Sequence, residues 1–219
     1  MYIFTKIKKE MLTILLLVSI FFIAFQTQLV QAAPLFGKTI IIDAGHGEFD
    51  PGKVAARNTL EKDINLEIAL KLQEALEING AYVLMMRNED EALGNTKDAD
   101  MAGRRHLANI SHADILISIH QNAYSSPKPV GPMVFHYSEN SLELATLIQN
   151  SLNKHLERSG GRAPKQNKGY FILRATTVPA VLVECGFLTN SWDLDSLKQE
   201  DYQRKVANAI LEGVLQYME

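Results

Sequence analysis

The sequence has a single cysteine among its 219 residues, Cys185, so no disulfide can form within the chain. Positive charge is neither in excess nor clustered. Its 22 lysines and arginines stand against 25 aspartates and glutamates, for a net charge of −3, and nucleic acid is therefore not an expected partner. Internal repeats, low-complexity tracts and stretches long enough to link two domains are also missing, which argues against a second domain. What is left, with 47% hydrophobic side chains, suffices for one well-cored domain.

One long hydrophobic run does occur. Lys6, Lys8 and Lys9 precede an uncharged, mostly apolar stretch from Met11 to Phe25, closed by the polar segment Gln26 to Gln31. That order of basic, apolar and polar parts reads as a signal peptide over residues 1–32, with Val30 and Ala32 as the small residues before a cleavage point. The alternative is an uncleaved anchor, whose only membrane contact would be this segment. At about 15 residues the run is shorter than the roughly 20 that span a bilayer comfortably, which favours cleavage. The expectation is an exported chain whose mature domain covers 33–219.

From Lys38 onward strands and helices alternate. Lys38 to Asp43 reads as a buried strand, Leu60 to Asn79 as a helix closed by Gly80, Ala81 to Met86 as a strand, and Asp98 to Ser111 as a helix. Strands follow at Ile115 to Ile119, Met133 to Tyr137 and Ala180 to Val183, with helices at Ser141 to Arg158 and Asp201 to Tyr217. Gly47 to Thr59, Asn88 to Lys97, Ser125 to Pro132 and Gly160 to Lys168 read as loops. The sum is a single-domain α/β fold, with a mixed or mostly parallel sheet sandwiched by helices.

In such sheets ligands gather at the carboxyl ends of strands. His46 lies just past the first strand, His120 follows Ile115 to Ile119, and Glu184 ends the strand at Ala180 to Val183. Glu61, at the start of the first helix, faces the same end. Two histidines and a carboxylate with an open fourth position suit a hydrolytic zinc ion. Singly, each has an ordinary reading, a loop histidine or a glutamate placed for the helix dipole. Together, two such histidines and two such carboxylates are hard to obtain by chance in a chain with six histidines. His106, His112, His136 and His155 read as structural.

These residues sit in ordered blocks: Asp43-Ala44-Gly45-His46-Gly47, Leu60-Glu61-Lys62-Asp63, Arg105 with Ala108-Asn109 and Ala113-Asp114, Ser118-Ile119-His120-Gln121-Asn122-Ala123, and Pro179 to Asn190 around Glu184. In them the chain resembles the zinc-dependent N-acetylmuramoyl-L-alanine amidases of the bacterial cell wall, from about Lys38 to the C-terminus. The resemblance implies one zinc per chain on His46, Glu61 and His120, Glu184 as the catalytic glutamate, and peptidoglycan as the substrate. Two departures stand out. Glu48 replaces a usual second glycine, as a competing ligand or a solvated loop residue, and Lys53 to Thr59 is less glycine-rich than expected. An export signal followed by a catalytic domain alone is similar to the compact sporulation-linked members that prepare spore cortex for muramic lactam formation. The short segment from His120 to Met133 leaves no room for the inserted autoinhibitory helix of some division amidases, so control would come from elsewhere, such as expression timing or an accessory protein needed for activity or zinc loading.

The implied reaction is hydrolysis of the amide between the muramic acid lactyl group and L-alanine, with Glu184 moving the proton. Cys185 should face away from Glu184 by strand alternation and pack in the core. Arg174 would pair with a stem-peptide carboxylate or form a surface ion pair. Asn122 would contact substrate or, with Asp43, support the metal ligands. The rivals are a zinc exopeptidase of similar architecture and a catalytically silent wall-associated scaffold. An exopeptidase with two metals would need a further ligand at a strand end, and a silent scaffold tends to lose one of the four residues.

Overall fold

The computed structural model describes residues 11–22 and 33–219. The flanking residues of the expected export signal, including Lys6, Lys8, Lys9, Val30 and Ala32, lie outside the described residues. Helix α1 covers residues 11–22. Among the described residues no helix is long and apolar enough to cross a membrane.

Six strands form one sheet in the order β2-β1-β3-β6-β4-β5. They are β1 (Thr39–Ala44), β2 (Tyr82–Met85), β3 (Ile115–Asn122), β4 (Met133–His136), β5 (Lys165–Gln166) and β6 (Ala180–Phe187). All pairings are parallel except that of β4 with β6. The helices are α2 (Glu61–Ile78), α3 (Lys97–Ile110), α4 (Leu142–His155), α5 (Phe171–Ala175), α6 (Ser191–Leu197) and α7 (Glu200–Met218).

Strand alternation divides the sheet into two unlike faces. Ile40, Ile42 and Ala44 of β1, Ile115, Ile117 and Ile119 of β3, and Val181, Val183 and Cys185 of β6 join the main core with α2, α4 and α7. On the other face Ile41, Leu116, Ala180 and Leu182 meet Ala108 of α3 and Ile172 and Leu173 of α5 in a smaller cluster. That second row turns polar toward the carboxyl ends: Asp43 on β1, Ser118 and His120 on β3, Glu184 on β6. The register places Asp43 beside Ser118 and His120 beside Glu184. Polar side chains are thereby stacked where an all-apolar core would continue.

Several elements differ from the sequence expectation. β3 and β6 run on through His120 and Glu184, so both residues lie within strands rather than after them. A register shift between His120 and Asn122 marks where the ladder becomes irregular. The helix expected to reach Arg158 stops at His155, because Leu156 is extended and Arg158 takes a left-handed φ of 56° ahead of Gly160 and Gly161. Part of the Gly160 to Lys168 loop is strand β5, paired with β4. The connection from Asn122 to Met133, all of it among the described residues, carries no helix.

Candidate active site

His46 is delivered by a sharp turn beyond β1. Its own φ is 65° and that of Glu48 is 47°, left-handed values that are uncommon without glycine and concentrate at functional sites. Gly45 permits close approach: a Cβ there would lie 2.2 Å from the His120 ring. His120 comes from β3 and Glu61 from the first turn of α2. His46 Nε2 lies 3.2 Å and His120 Nδ1 3.0 Å from the same oxygen, Glu61 Oε1. The two imidazoles meet edge to face with centroids 4.9 Å apart. One ligand atom from each of the three residues lies within 4.8 Å of the others, the only such group of three or more among the described residues.

The surroundings fix these donors. The Gln121 backbone N–H donates to Glu61 Oε1 at 3.1 Å and that of Lys53 to Glu61 Oε2 at 2.8 Å. Burial would raise the Glu61 carboxyl, but His120 and His46 outweigh it and hold it well below the usual carboxylate range. Asp50 Oδ2 lies 2.9 Å from His46 Nδ1, leaving Nε2 to face Glu61. An ionised carboxylate and two imidazoles converging in this way form a donor set that fits zinc and leaves a coordination position open.

A buried polar frame lies under the turn. Arg104 of α3 donates to Asp43 and Asp100, to Ala44 O at 3.1 Å and to His46 O at 2.7 Å. The Ser118 hydroxyl donates to the second Asp43 oxygen at 2.6 Å. Burial raises the Asp43 carboxyl, but Arg104, His120 and Ser118 together hold it below its usual value. Arg87, fully enclosed, donates to Ala44 O, Gly45 O and Lys62 O. Two buried arginines thus hold the backbone that carries His46.

Glu184 is 6% exposed and accepts a hydrogen bond from the Tyr170 hydroxyl at 3.1 Å on Oε1, whereas its Oε2 is buried without a hydrogen-bond partner. Burial pushes its carboxyl up to about 7, with Glu61 adding to the rise against His120, Tyr170 and His46. A carboxyl balanced near neutrality can both take and release a proton. His46, Asp50, Lys97, Arg104, His120, Tyr170 and Phe171 line one cleft.

His46, Glu61 and His120 come together as the sequence suggested, and Glu184 stands beside His120 in register. The side-chain hydrogen-bond partners of Asp43 are Arg104 and Ser118 rather than His46, Glu61 or His120. Arg104 is buried at the site, and its neighbour Arg105 is exposed. Arg174 is exposed, with its guanidinium over the Phe171 ring at 5.6 Å. Asn122 is half-buried and its carbonyl accepts from Leu188 N–H. Glu48 is exposed and is not part of the three-residue group. Cys185 lies in the main core, where burial pushes its thiol up and away from reactivity. Sequence reasoning missed Asp50 and Tyr170. Asp50 lies four residues after His46, a spacing that a search for carboxylates near the histidine would have found.

The N-acetylmuramoyl-L-alanine amidase family profile matches residues 40–216 of the chain. A germination-specific N-acetylmuramoyl-L-alanine amidase of Bacillus subtilis (strain 168) is 38% identical over 195 residues, covering 84% of this chain and 81% of the relative. The CwlD amidase from Clostridioides difficile, solved in complex with the GerS lipoprotein, superposes with a TM-score of 0.79 at 36% identity, covering 83% of this chain and 98% of that one. An N-acetylmuramoyl-L-alanine amidase from Clostridium difficile 630 gives a TM-score of 0.75 at 33% identity, covering 82% and 96%.

Proposed function

The chain belongs to the N-acetylmuramoyl-L-alanine amidase family and acts as such an amidase on the cell wall, and from that premise we propose how its residues divide the work. His46, Glu61 and His120 hold one zinc ion, and Glu184 is the catalytic carboxylate. The observation that carries this reading is the convergence of both imidazoles on Glu61 Oε1. Zinc bound there would supply a Lewis acid that acidifies water and polarises the scissile carbonyl.

Glu184 accepts a proton from the attacking water as its oxygen bonds to the lactyl carbonyl carbon. It passes that proton to the L-alanine nitrogen as the C–N bond breaks, leaving a free lactyl carboxyl and a free amine. Burial raises its proton affinity in the metal-free chain, which favours its holding a proton between the two steps. Asp50 orients the His46 ring, and the Arg104 frame holds the turn that bears it. Arg174, stacked on a ring that lines the cleft, is proposed to meet a stem-peptide carboxylate, and Asn122 to contact the substrate at the end of β3.

Residues 1–32 are proposed as the export signal and 33–219 as the catalytic domain, in keeping with cell-wall action. The germination-specific relative supports a role in spore-cortex maturation, and the relative solved with a lipoprotein supports an accessory partner for this chain. Digestion of intact peptidoglycan followed by mass spectrometry tests the assignment. Wild-type protein should release ends with a free lactyl carboxyl and an N-terminal L-alanine. Glu184→Gln should lower the rate by about 100-fold to 10,000-fold, the usual worth of a general acid–base group. A near-normal rate in that variant would remove Glu184 from the mechanism.

A further inference from the structure

We propose that Tyr170 is a positioning residue that fixes one oxygen of Glu184 and thereby assigns proton transfer to the other. This rests on the reading of Glu184 as the catalytic carboxylate. The two oxygens of that side chain are not equivalent. Oε1 accepts the Tyr170 hydroxyl at 3.1 Å, and Oε2 is buried and has no hydrogen-bond partner among the described residues. A buried carboxylate oxygen left unpaired is costly, and such groups in native folds mark places where a ligand or reacting water completes the set. Oε1 already accepts one hydrogen bond, whereas both lone-pair directions of Oε2 are free of a protein donor, so Oε2 is the better acceptor and the atom assigned to take the proton from water and return it to the leaving nitrogen.

The phenol is built for this task. Burial and the neighbouring Glu184 carboxylate push its proton affinity up, so it stays a donor throughout the working pH range. Its ring is held edge to face against Phe135 of β4, with centroids 5.2 Å apart. Its backbone is the N-cap of α5, the short helix that also supplies Phe171 to the cleft. A carboxylate without this tether would be free to rotate and present either oxygen. The cost would fall on the chemical step, because productive geometry would be sampled less often.

Tyr170→Phe keeps the ring and removes only the hydroxyl. With holoenzyme and a soluble muropeptide, kcat should fall about tenfold or more, while KM, zinc content and melting midpoint stay at wild-type values. The acidic limb of kcat against pH should move to higher pH, since a donated hydrogen bond favours the charged carboxylate. His46, Glu61 and His120 also face Glu184 and are untouched by the substitution, so they do not account for a difference between the two profiles. Site-specific 3-fluorotyrosine at position 170 restores the donor and should return most of the lost kcat. It also serves as a second test if the phenylalanine variant folds poorly. Wild-type kcat in Tyr170→Phe, a loss carried by KM alone, or no recovery with fluorotyrosine would each overturn the proposal. Failure of this idea is distinct from failure of the Glu184 reading: the latter shows as activity retained in Glu184→Gln.

Discussion

At the level of single residues, the site combines groups that pure folding would not select. A histidine at φ 65° and a buried glutamate with one unpaired oxygen are each unfavourable by themselves, and Gly45 is a position where any Cβ would overlap the His120 ring. Gly45→Ala should displace His120 and weaken zinc binding about 10- to 100-fold, as loss of a ligand's support commonly does, measured by competition with a chelator. Glu184 also makes stability depend on pH. In metal-free protein its carboxyl titrates at about 7 in the folded state against an ordinary 4.5, so the fold holds that proton more tightly than the unfolded chain does. Its contribution is complete below pH 4.5 and is lost as the pH rises to about 7, a difference of about 3 kcal/mol. Urea midpoints of chelated wild type should therefore fall across this window relative to chelated Glu184→Gln. Parallel curves would mean that burial does not raise Glu184. His46, His120 and Glu184 stood out in the sequence because each is a titratable residue at or just past the end of an apolar run. Tyr170 was not, because Tyr170-Phe171-Ile172-Leu173 reads as one more apolar run and nothing in it reveals a hydroxyl aimed at β6.

At the level of elements, one face of the sheet explains how the site is held. Asp43, Ser118, His120 and Glu184 belong to the same strand-alternation set as Ile41, Leu116 and Leu182, so the apolar cluster under α3 and α5 gives way to the active site without a change of architecture. Arg104 links α3 to β1 and to the His46 carbonyl. Arg104→Met should cost about 3–5 kcal/mol in urea unfolding, because it leaves two buried carboxylates, Asp43 and Asp100, without their partner. A loss under 1 kcal/mol would show that the frame is not what holds α3 to β1. The long strands and helices were readable from their apolar spacing. Their ends were not: β3 and β6 continue through residues that look polar in sequence, since backbone pairing with a neighbouring strand, not side-chain hydrophobicity, keeps them extended. The five-residue α5, the seven-residue α6 and the two-residue β5 are too short to carry a period.

At the level of the whole molecule, the single α/β domain expected from length and composition is the one observed, and residues 40–216 match one family from end to end. The main core is shared by α2, α4 and α7 on the far side of the sheet from the Asp43, Ser118 and Glu184 side chains. Stability and chemistry are thus divided between the two faces, and the smaller face can carry strain because the larger one is well packed. Family membership and the convergence of His46, Glu61 and His120 speak against a silent scaffold, and this is the only three-residue group able to hold a metal ion among the described residues. The most direct test is metal content set against activity. Wild-type protein should contain one zinc per chain, lose amidase activity when a chelator strips it, and regain that activity with added zinc; His46→Ala and His120→Ala should purify with little metal. A chain verified as metal-free that still cleaves peptidoglycan at the wild-type rate would contradict the zinc site.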